Sequence, residues 1–202
     1  MSIVTATRSE LLVRRSRERT AQRGDAVLTR KRAALIAELR RVGLEVGDRR
    51  AGLERAAAAA RRALGQAVMV DGPQAVGSAA VAASREVTAQ VTSRSVAGVR
   101  VIGLDADRAA RARTGRGYAL LASTATIDRV AEAFETELDA LFALVAAELN
   151  LRRLTLEVAR VTRQVNALEQ VVLPRLAAEQ RYIAATLEQR ALEDRVRIAR
   201  RA

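Results

Sequence analysis

Arginine is the residue type in this sequence best suited to directional polar contacts, and it is concentrated near both ends. Residues 1–32 hold nine basic and three acidic residues, and residues 175–202 hold seven and four. A guanidinium group offers a planar set of donors that bind carboxylate and carbonyl oxygens. The cationic residues predicted to contact a partner's acidic or carbonyl-lined surface are Arg14, Arg15, Arg19, Arg23, Arg30, Lys31, Arg32, Arg190 and Arg197. The same residues also fit a solvated helix face whose long stems cover an apolar seam, so both interpretations stay open.

Groups suited to catalysis are scarce. The chain has no cysteine and no histidine, so it lacks thiol chemistry, the commonest zinc ligands and the commonest general base. Gly115-Arg116-Gly117 lacks the spacing and the Lys-Ser/Thr of a phosphate-binding loop and is predicted to be a flexible loop. Glu193-Asp194 is expected to be a solvated charge pair. We therefore predict a chain that is not an enzyme, with no catalytic residue, no metal site and no cofactor.

The composition is typical of long helices. Half of the residues are hydrophobic, only 2% are aromatic, and the chain has two prolines. In the first arm, residues 1–69, apolar residues recur with the heptad spacing of a coiled coil, and Arg32 and Arg49 interrupt it. The two rows of this seam are Leu28, Leu35, Val42, Leu39, Val46 and Leu53, continued by Ala56, Ala60, Ala63 and Ala67. The arm is predicted to begin with a capping box, Thr7 to Glu10, and to end at Asp71-Gly72-Pro73.

The second arm, residues 123–202, is predicted to begin within Ser123–Thr126. Its apolar stripe reads Ile127, Val130, Phe134, Leu138, Leu141, Val145, Leu149, Leu154, Val158, Val161, Val165, Leu168 and Val172, and continues through Leu176, Ile183 and Leu187. Asn166 is interpreted as a polar residue that fixes the register of the seam. Pro174 lies inside this periodicity, so we expect a kink there and not a stop.

The middle segment, residues 70–122, has a different pattern. Residues 86–92 alternate with period two, Val99–Ile102 does so more briefly, and Ala97-Gly98 has turn character, so a short β-hairpin is expected. Residues 105–117 are predicted to form a flexible loop. The predicted fold is all-α: a single elongated domain in which two long helices form an antiparallel coiled coil, joined by this small segment. Such pairing places residues 1–32 beside residues 175–202 and makes the shared tip strongly positive.

Several stretches resemble the D subunit of the V-type and A-type rotary ATPases. They are Thr7–Leu12, Ala21–Gly24, Leu28–Arg32, Val96–Val101, Arg163–Leu176, Tyr182-Ile183 and Leu187–Arg190, in the order that the family shows. The stretch from Arg163 to Leu176, with its asparagine, its Ala-Leu-Glu and its proline, is the most similar. The end of the chain, Glu193–Ile198, lacks the aromatic pair and most of the lysines of the family's tail.

This resemblance implies a non-catalytic central stalk, a rotor that transmits torque between the nucleotide-binding ring and the membrane rotor. Its implied partners are the catalytic and non-catalytic ring subunits around the upper shaft, the F subunit on the lower shaft, and a membrane-ring adaptor subunit at the middle segment. The sequence has no signal peptide and no apolar run of membrane-spanning length. The expected location is cytoplasmic, peripheral to the membrane, without insertion into the membrane.

Two other functions fit a basic coiled coil. Cationic helices neutralise phosphates, so a nucleic-acid-binding protein is one alternative, although the scarcity of aromatic residues argues against stacking on single strands. A cytoskeletal or signalling scaffold is the other, and it would self-associate. The resemblance favours the rotor, with no nucleic acid among its partners.

Overall fold

The computed structural model describes residues 5–84, 88–106, 115–118 and 124–200. Three helices and one hairpin make up this part of the chain: α1 Arg8–Ala82, β1 Ala89–Val96, β2 Val99–Ala106, α2 Ala125–Ala167 and α3 Leu173–Ala199. A five-residue π-helix, Leu168–Val172, joins α2 to α3. The predicted fold class, long helices with a small hairpin between them, is confirmed. The chain divides into two compact units, unit 1 with residues 1–36 and 157–202 and unit 2 with residues 37–156.

The first helix begins where the sequence predicts. The Glu10 amide donates to Oγ1 of Thr7 at 3.2 Å, which satisfies one of the free amides of the first turn. The reciprocal half of the capping box does not form, because the Thr7 amide donates to the Thr5 carbonyl. The Glu10 carboxylate instead binds Arg14 at 2.8 Å.

A break interrupts α1 at Gly72, where φ is 81° and ψ is 156°. The sequence predicts the end of the first arm at this point, and the interruption is confirmed, but the helix resumes and runs to Ala82. Glycine reaches a positive φ without steric cost. Pro73 then fits a new first turn, because its fixed φ is helical and no partner is needed there for an N–H.

In unit 1, α1 pairs head to tail with the C-terminal helices. Arg14 binds Glu179 at 3.0 Å, and Lys31, farther along α1, binds Glu157 at 2.7 Å, earlier in the sequence. Contacts that ascend along one helix and descend along the other define antiparallel pairing. The side chains buried in this unit are those of Leu35, Val161, Val165, Leu176 and Ile183, with Ala6 at its end. The predicted antiparallel seam is therefore present here.

In unit 2, the buried residues of α1 are Val42, Val46, Ala60 and Ala67, all members of the predicted heptad rows. On α2 the prediction is partly wrong. Ile127 and Leu154 are buried, but Phe134, Leu141, Val145 and Leu149 remain 38–41% exposed. The chain also buries Leu144, Ala146 and Ala147, which lie beside the predicted stripe of α2. Small side chains such as those of Ala146 and Ala147 allow a neighbouring element to pack closely against α2.

The hairpin of unit 2 is antiparallel, with Val96 opposite Val99 and Arg94 opposite Val101. Ala97 and Gly98 form its two-residue turn with φ of 49° and 81°, the conformation that suits the twist of paired strands. The predicted hairpin and turn are confirmed, and β2 extends to Ala106. The start of the predicted first strand, Glu86-Val87, lies outside the described residues.

Side-chain hydrogen bonds fix the start of α2. Oγ1 of Thr124 accepts from the Ile127 amide at 3.3 Å, so the helix begins inside the predicted range. Thr124 also donates to the Asp71 carboxylate at 2.9 Å, and Thr126 donates to the same oxygen. The start of α2 is thereby tied to the residue that precedes the break in α1.

The π-helix lies directly before Pro174. The Leu173 amide donates to the Leu168 carbonyl, five residues earlier, and α3 begins with Pro174 in its first turn. A proline lacks an amide hydrogen and crowds the preceding turn, and the wider π turn accommodates both defects. The helix therefore continues past Pro174, as predicted. Asn166, in the turn before, is exposed and does not fix the register of the seam.

Among the described residues, no helix contains a stretch long and apolar enough to span a membrane.

Candidate partner-binding surfaces

The predicted cationic residues lie in unit 1 and divide into two groups. Arg14, Lys31 and Arg190 bind other parts of the same unit. The Arg190 guanidinium donates to the Ala6 carbonyl at 3.0 Å, and the Arg14 side chain is mostly covered between Glu10 and Glu179. Arg14 and Lys31 join α1 to the C-terminal helices, and Arg190 joins α3 to the residues that precede α1, so each of them has a structural role within the chain.

The guanidinium groups of the remaining predicted residues are more accessible to a partner protein. Arg15, Arg19, Arg23, Arg30 and Arg197 are exposed, and Arg32 is half-buried. Arg30 donates to the Ala26 carbonyl in its own helix at 3.1 Å, through one of its several N–H groups. Unit 1 contains 18 basic and 9 acidic residues, a net charge of +9, whereas unit 2 contains 17 and 14. The positive charge is thus concentrated on unit 1.

The end of α3 has no covering element within the described part of the chain. All residues from 191 to 200 are exposed, and they include Leu192, Val196 and Ile198. Just before this stretch, Arg190 donates to the Ala6 carbonyl near the start of the chain. An exposed apolar set flanked by arginines is a surface that a partner protein can cover.

Unit 2 contains a buried ion-pair cluster that the sequence did not predict. Arg116, placed in a flexible loop by its glycine neighbours, is only 4% exposed. Its Nε and Nη2 bind the two carboxylate oxygens of Glu135 at 3.1 and 2.8 Å, and Nη1 lies 3.6 Å from Oδ1 of Asp128. The Tyr118 hydroxyl donates to the same Asp128 oxygen at 2.8 Å. A signal was available, because Asp128 and Glu135 are seven residues apart on one face of α2, next to Ile127 and Phe134.

The cluster closes one side of an apolar cavity of about 410 Å³, lined by Leu64, Val76, Ile127, Phe134 and Leu138. Gly117 next to Arg116 has a φ of 86°, and a Cβ there would lie 2.4 Å from the Ala82 carbonyl oxygen. Only glycine therefore allows the backbone at residue 117 to lie so close to the end of α1. The hydrogen bonds to Glu135 raise the pKa of Arg116 above its ordinary value, against the opposing effect of burial.

Burial also raises the pKa of Tyr118, and its bond to Asp128 acts in the same direction, while Arg116 opposes both. Because the folded chain holds this proton more tightly, the stabilisation is complete below the ordinary tyrosine pKa of about 10 and is lost as pH rises through the folded-state value. In the Tyr182→Phe variant, Tyr118 is the only tyrosine. We expect its absorbance at 295 nm to titrate at higher pH in the folded chain than in guanidinium. Coincident titration curves would contradict this expectation.

Asn150 anchors the hairpin to α2, and sequence reasoning missed it as well. Its side chain is 8% exposed; Oδ1 accepts from the Ile102 amide at 2.8 Å and Nδ2 donates to the Ile102 carbonyl at 2.7 Å. One turn later Arg153 donates to the Arg100 carbonyl at 3.3 Å. An amide side chain carries both a donor and an acceptor, so it can bind one strand residue as a neighbouring strand would.

Asn150→Ala removes both hydrogen bonds, and we expect it to destabilise the docked hairpin by about 1–3 kcal/mol. The measurement is hydrogen exchange of the Ile102 amide, which should become faster by at least about fivefold. Asn166→Ala is the matched control, because Asn166 is the only other asparagine and is exposed. Equal exchange rates in the two variants would show that Asn150 does not hold the hairpin.

Comparison with known proteins shows the family to which this chain belongs. A family model described as the D subunit of ATP synthase matches residues 10–200, which includes the hairpin and all three helices except the first two residues of α1. This chain belongs to the ATP synthase D-subunit family. The V-type ATP synthase D subunit of Anaeromyxobacter sp. (strain Fw109-5) is 38% identical over 200 residues, covering 99% of this chain and 93% of that protein.

Other relatives in the D-subunit family show similar coverage. The V-type ATP synthase D subunit of Thermus thermophilus is 37% identical over 204 residues, covering 99% of this chain and 88% of that protein. The A-type ATP synthase D subunit of Pyrococcus horikoshii is 31% identical over 197 residues, covering 98% and 92%. The resemblance inferred from the opening and closing stretches is confirmed over nearly the whole chain. Nothing in these comparisons favours a nucleic-acid-binding or scaffold protein.

Proposed function

We propose that this chain is the central-stalk subunit of a rotary V/A-type ATP synthase or ATPase, and that it transmits torque without taking part in the chemistry. The observation that carries the proposal is the D-subunit family match over residues 10–200 of a chain whose terminal helices pair antiparallel in unit 1. In this function the ring of catalytic and non-catalytic subunits surrounds the terminal helices, and the chain works at the cytoplasmic side of the membrane.

The chemistry of unit 1 supports a place inside that ring. Arg15, Arg19, Arg23 and Arg197 offer exposed guanidinium groups, which bind carboxylates and carbonyls of surrounding subunits. The exposed end of α3, with Leu192 and Val196, supplies apolar contact area between arginines. Contacts that differ between rotational positions change the relative stability of the ring's conformations, and by linkage nucleotide binding then biases the position of the stalk.

Two surfaces of unit 2 suit the other proposed partners. The half-exposed row of α2, Phe134, Leu141, Val145 and Leu149, has the spacing that a third helix covers, and we assign it to the F subunit. The helix ends around the apolar cavity, beside Arg116, are assigned to the membrane-ring adaptor subunit. Both assignments match a partner that the family implies with a surface of unit 2 that is accessible in the described part of the chain.

Affinity capture of the full chain from its native membranes tests membership in the complex. Mass spectrometry should identify the ring subunits, the F subunit and the adaptor in stoichiometric amounts. A preparation that contains none of these subunits would contradict the proposed function.

Single-molecule rotation of the reconstituted complex tests the role of the arginines. A triple Arg15→Gln, Arg19→Gln, Arg23→Gln variant should hydrolyse ATP with reduced torque, because the contacts that transmit rotation are weakened. The control is Arg61→Gln, Arg62→Gln, which removes exposed charge from unit 2. Full torque from the triple variant would exclude these arginines from the torque-bearing contact while leaving membership in the complex intact.

A further inference from the structure

The two edges of the hairpin have different surroundings. In a hairpin with a two-residue turn, the residues that flank the turn exchange hydrogen bonds, and alternate residues then point their backbone groups outward. Val96 and Val99 flank the turn, so Arg100 and Ile102 face outward on β2. The contacts agree with this register, since Asn150 binds both backbone groups of Ile102 and Arg153 binds the Arg100 carbonyl. Helix α2 thus occupies the outer edge of β2.

The outer edge of β1 is open. The same register points the backbone groups of Val91, Ser93 and Ser95 away from β2. Within the part of the chain that the structure describes, no hydrogen bond reaches these groups, and every residue of β1 before Val96 is exposed. The strand has eight residues and contains no proline or bulge. Proteins usually protect an exposed edge strand with prolines, bulges or charged side chains, and Arg94 is the one such residue in β1.

The charge around the turn half of the hairpin has one sign. Residues 92–102 contain Arg94 and Arg100 and no acidic residue, and Arg153 of α2 lies against the Arg100 carbonyl. The carboxylate of Glu38 lies 3.7 Å from Arg94, but Arg41 already binds Glu38 at 2.7 Å. Arg94 and Arg100 are both exposed. A strand that lies along β1 therefore gains from carboxylate side chains on either of its faces.

We infer that the open edge of β1 is a docking site for an extended, acidic segment of a partner protein, which pairs with Val91, Ser93 and Ser95 and places carboxylates near Arg94 and Arg100. The main-chain bonds supply affinity and the arginines supply preference for acidic sequences. This binding mode goes beyond the proposed rotor function and does not depend on it. A second copy of the chain is a poorer occupant, because edge-to-edge pairing would bring its arginines toward those of the first.

The test uses the full chain and a fluorescein-labelled peptide of alternating valine and glutamate, of the same length as β1. Three results are expected: an anisotropy increase below about 1 mM peptide, slower exchange of the Val91, Ser93 and Ser95 amides, and a loss of affinity of about fivefold or more with a valine–lysine peptide. That preference should shrink as salt is added. Absence of binding, or equal binding of both peptides, would overturn the inference.

Two blocking experiments separate strand pairing from general electrostatic attraction. Ser93→Pro removes an outward amide without removing a bond to β2, since proline is tolerated at an edge. Its matched control, Ser93→Ala, keeps the amide. We expect the proline variant to bind the glutamate peptide about tenfold more weakly than the alanine variant, with the inward Arg94 amide still protected.

The second block lies in the peptide, so it does not depend on folding of a variant. A glutamate peptide in which every backbone amide is N-methylated cannot donate to β1 from either of its edges and should not bind. Binding of the methylated peptide, or equal affinity of the two Ser93 variants, would show that the edge is not the site. Dimerisation of the unliganded chain that Ser93→Pro abolishes would identify a second copy as the occupant and would also overturn the inference.

Discussion

Replacing Arg116 with leucine is expected to lower the free energy of unfolding by about 3–5 kcal/mol, because it removes the guanidinium group that binds the buried carboxylates of Glu135 and Asp128. Glu135 and Asp128 are both less than a tenth exposed, and Arg116 binds both. Urea denaturation followed by circular dichroism measures the loss. The double variant Arg116→Leu, Glu135→Leu should recover most of it, since an apolar pair needs no counterion.

The control for this prediction is an exposed ion pair with a similar N···O distance in the same unit. Arg50 binds Glu148 at 2.9 Å, against 2.8 Å for Arg116 and Glu135, but its side chains are 63% and 45% exposed. Arg50→Leu should cost less than about 1 kcal/mol, because water screens the pair. Similar losses for Arg50→Leu and Arg116→Leu would show that burial does not set the strength of these pairs.

Leu35→Ala is expected to destabilise unit 1 by about 2–5 kcal/mol, the range for removing a buried leucine and leaving a cavity. Leu35 is 0% exposed in the seam between α1 and the C-terminal helices. Leu12→Ala, on the same helix, is the matched control, because Leu12 is 64% exposed and its truncation opens no cavity. Thermal and urea unfolding measure both variants.

A loss of stability for Leu12→Ala as large as that for Leu35→Ala would contradict the seam seen in unit 1. It would mean that the two leucines are buried alike, which requires a different rotation of α1 about its axis.

Features that depend on local periodicity were predicted well. The heptad rows of α1 place Leu35, Val42 and Ala60 in the buried set, and the alternation around Ala97-Gly98 gives the hairpin and its turn. Each of these signals lies within a short window of sequence, so a pattern of residues is enough to predict it. The break at Gly72 was also found, although glycine followed by proline suits the start of a new helix as well as the end of an old one.

Features that depend on distant residues were missed. Arg116 is held by Glu135 and Asp128, and Asn150 by Ile102. The spacing of Asp128 and Glu135 marks two carboxylates on one face of α2, but no local pattern identifies Arg116 or Ile102 as the partner. The prediction of the buried face of α2 failed for a related reason: α2 carries more than one apolar row, and packing against residues distant in the sequence decides which one is buried. The predicted cationic residues were located on helix faces correctly, but their role as partner contacts remains a prediction.

Lys31 forms an ion pair with Glu157 inside a continuous helix, and it is the only lysine in the chain. A protease that cleaves after lysine can therefore cut the folded chain at a single peptide bond, and only while that stretch of helix is locally unwound. The rate of this one cut reports how often unit 1 opens, when opening and reclosing are fast relative to cleavage. Cleavage after Lys31 therefore measures local opening of the paired terminal helices without any added label, in the free subunit or within an assembly.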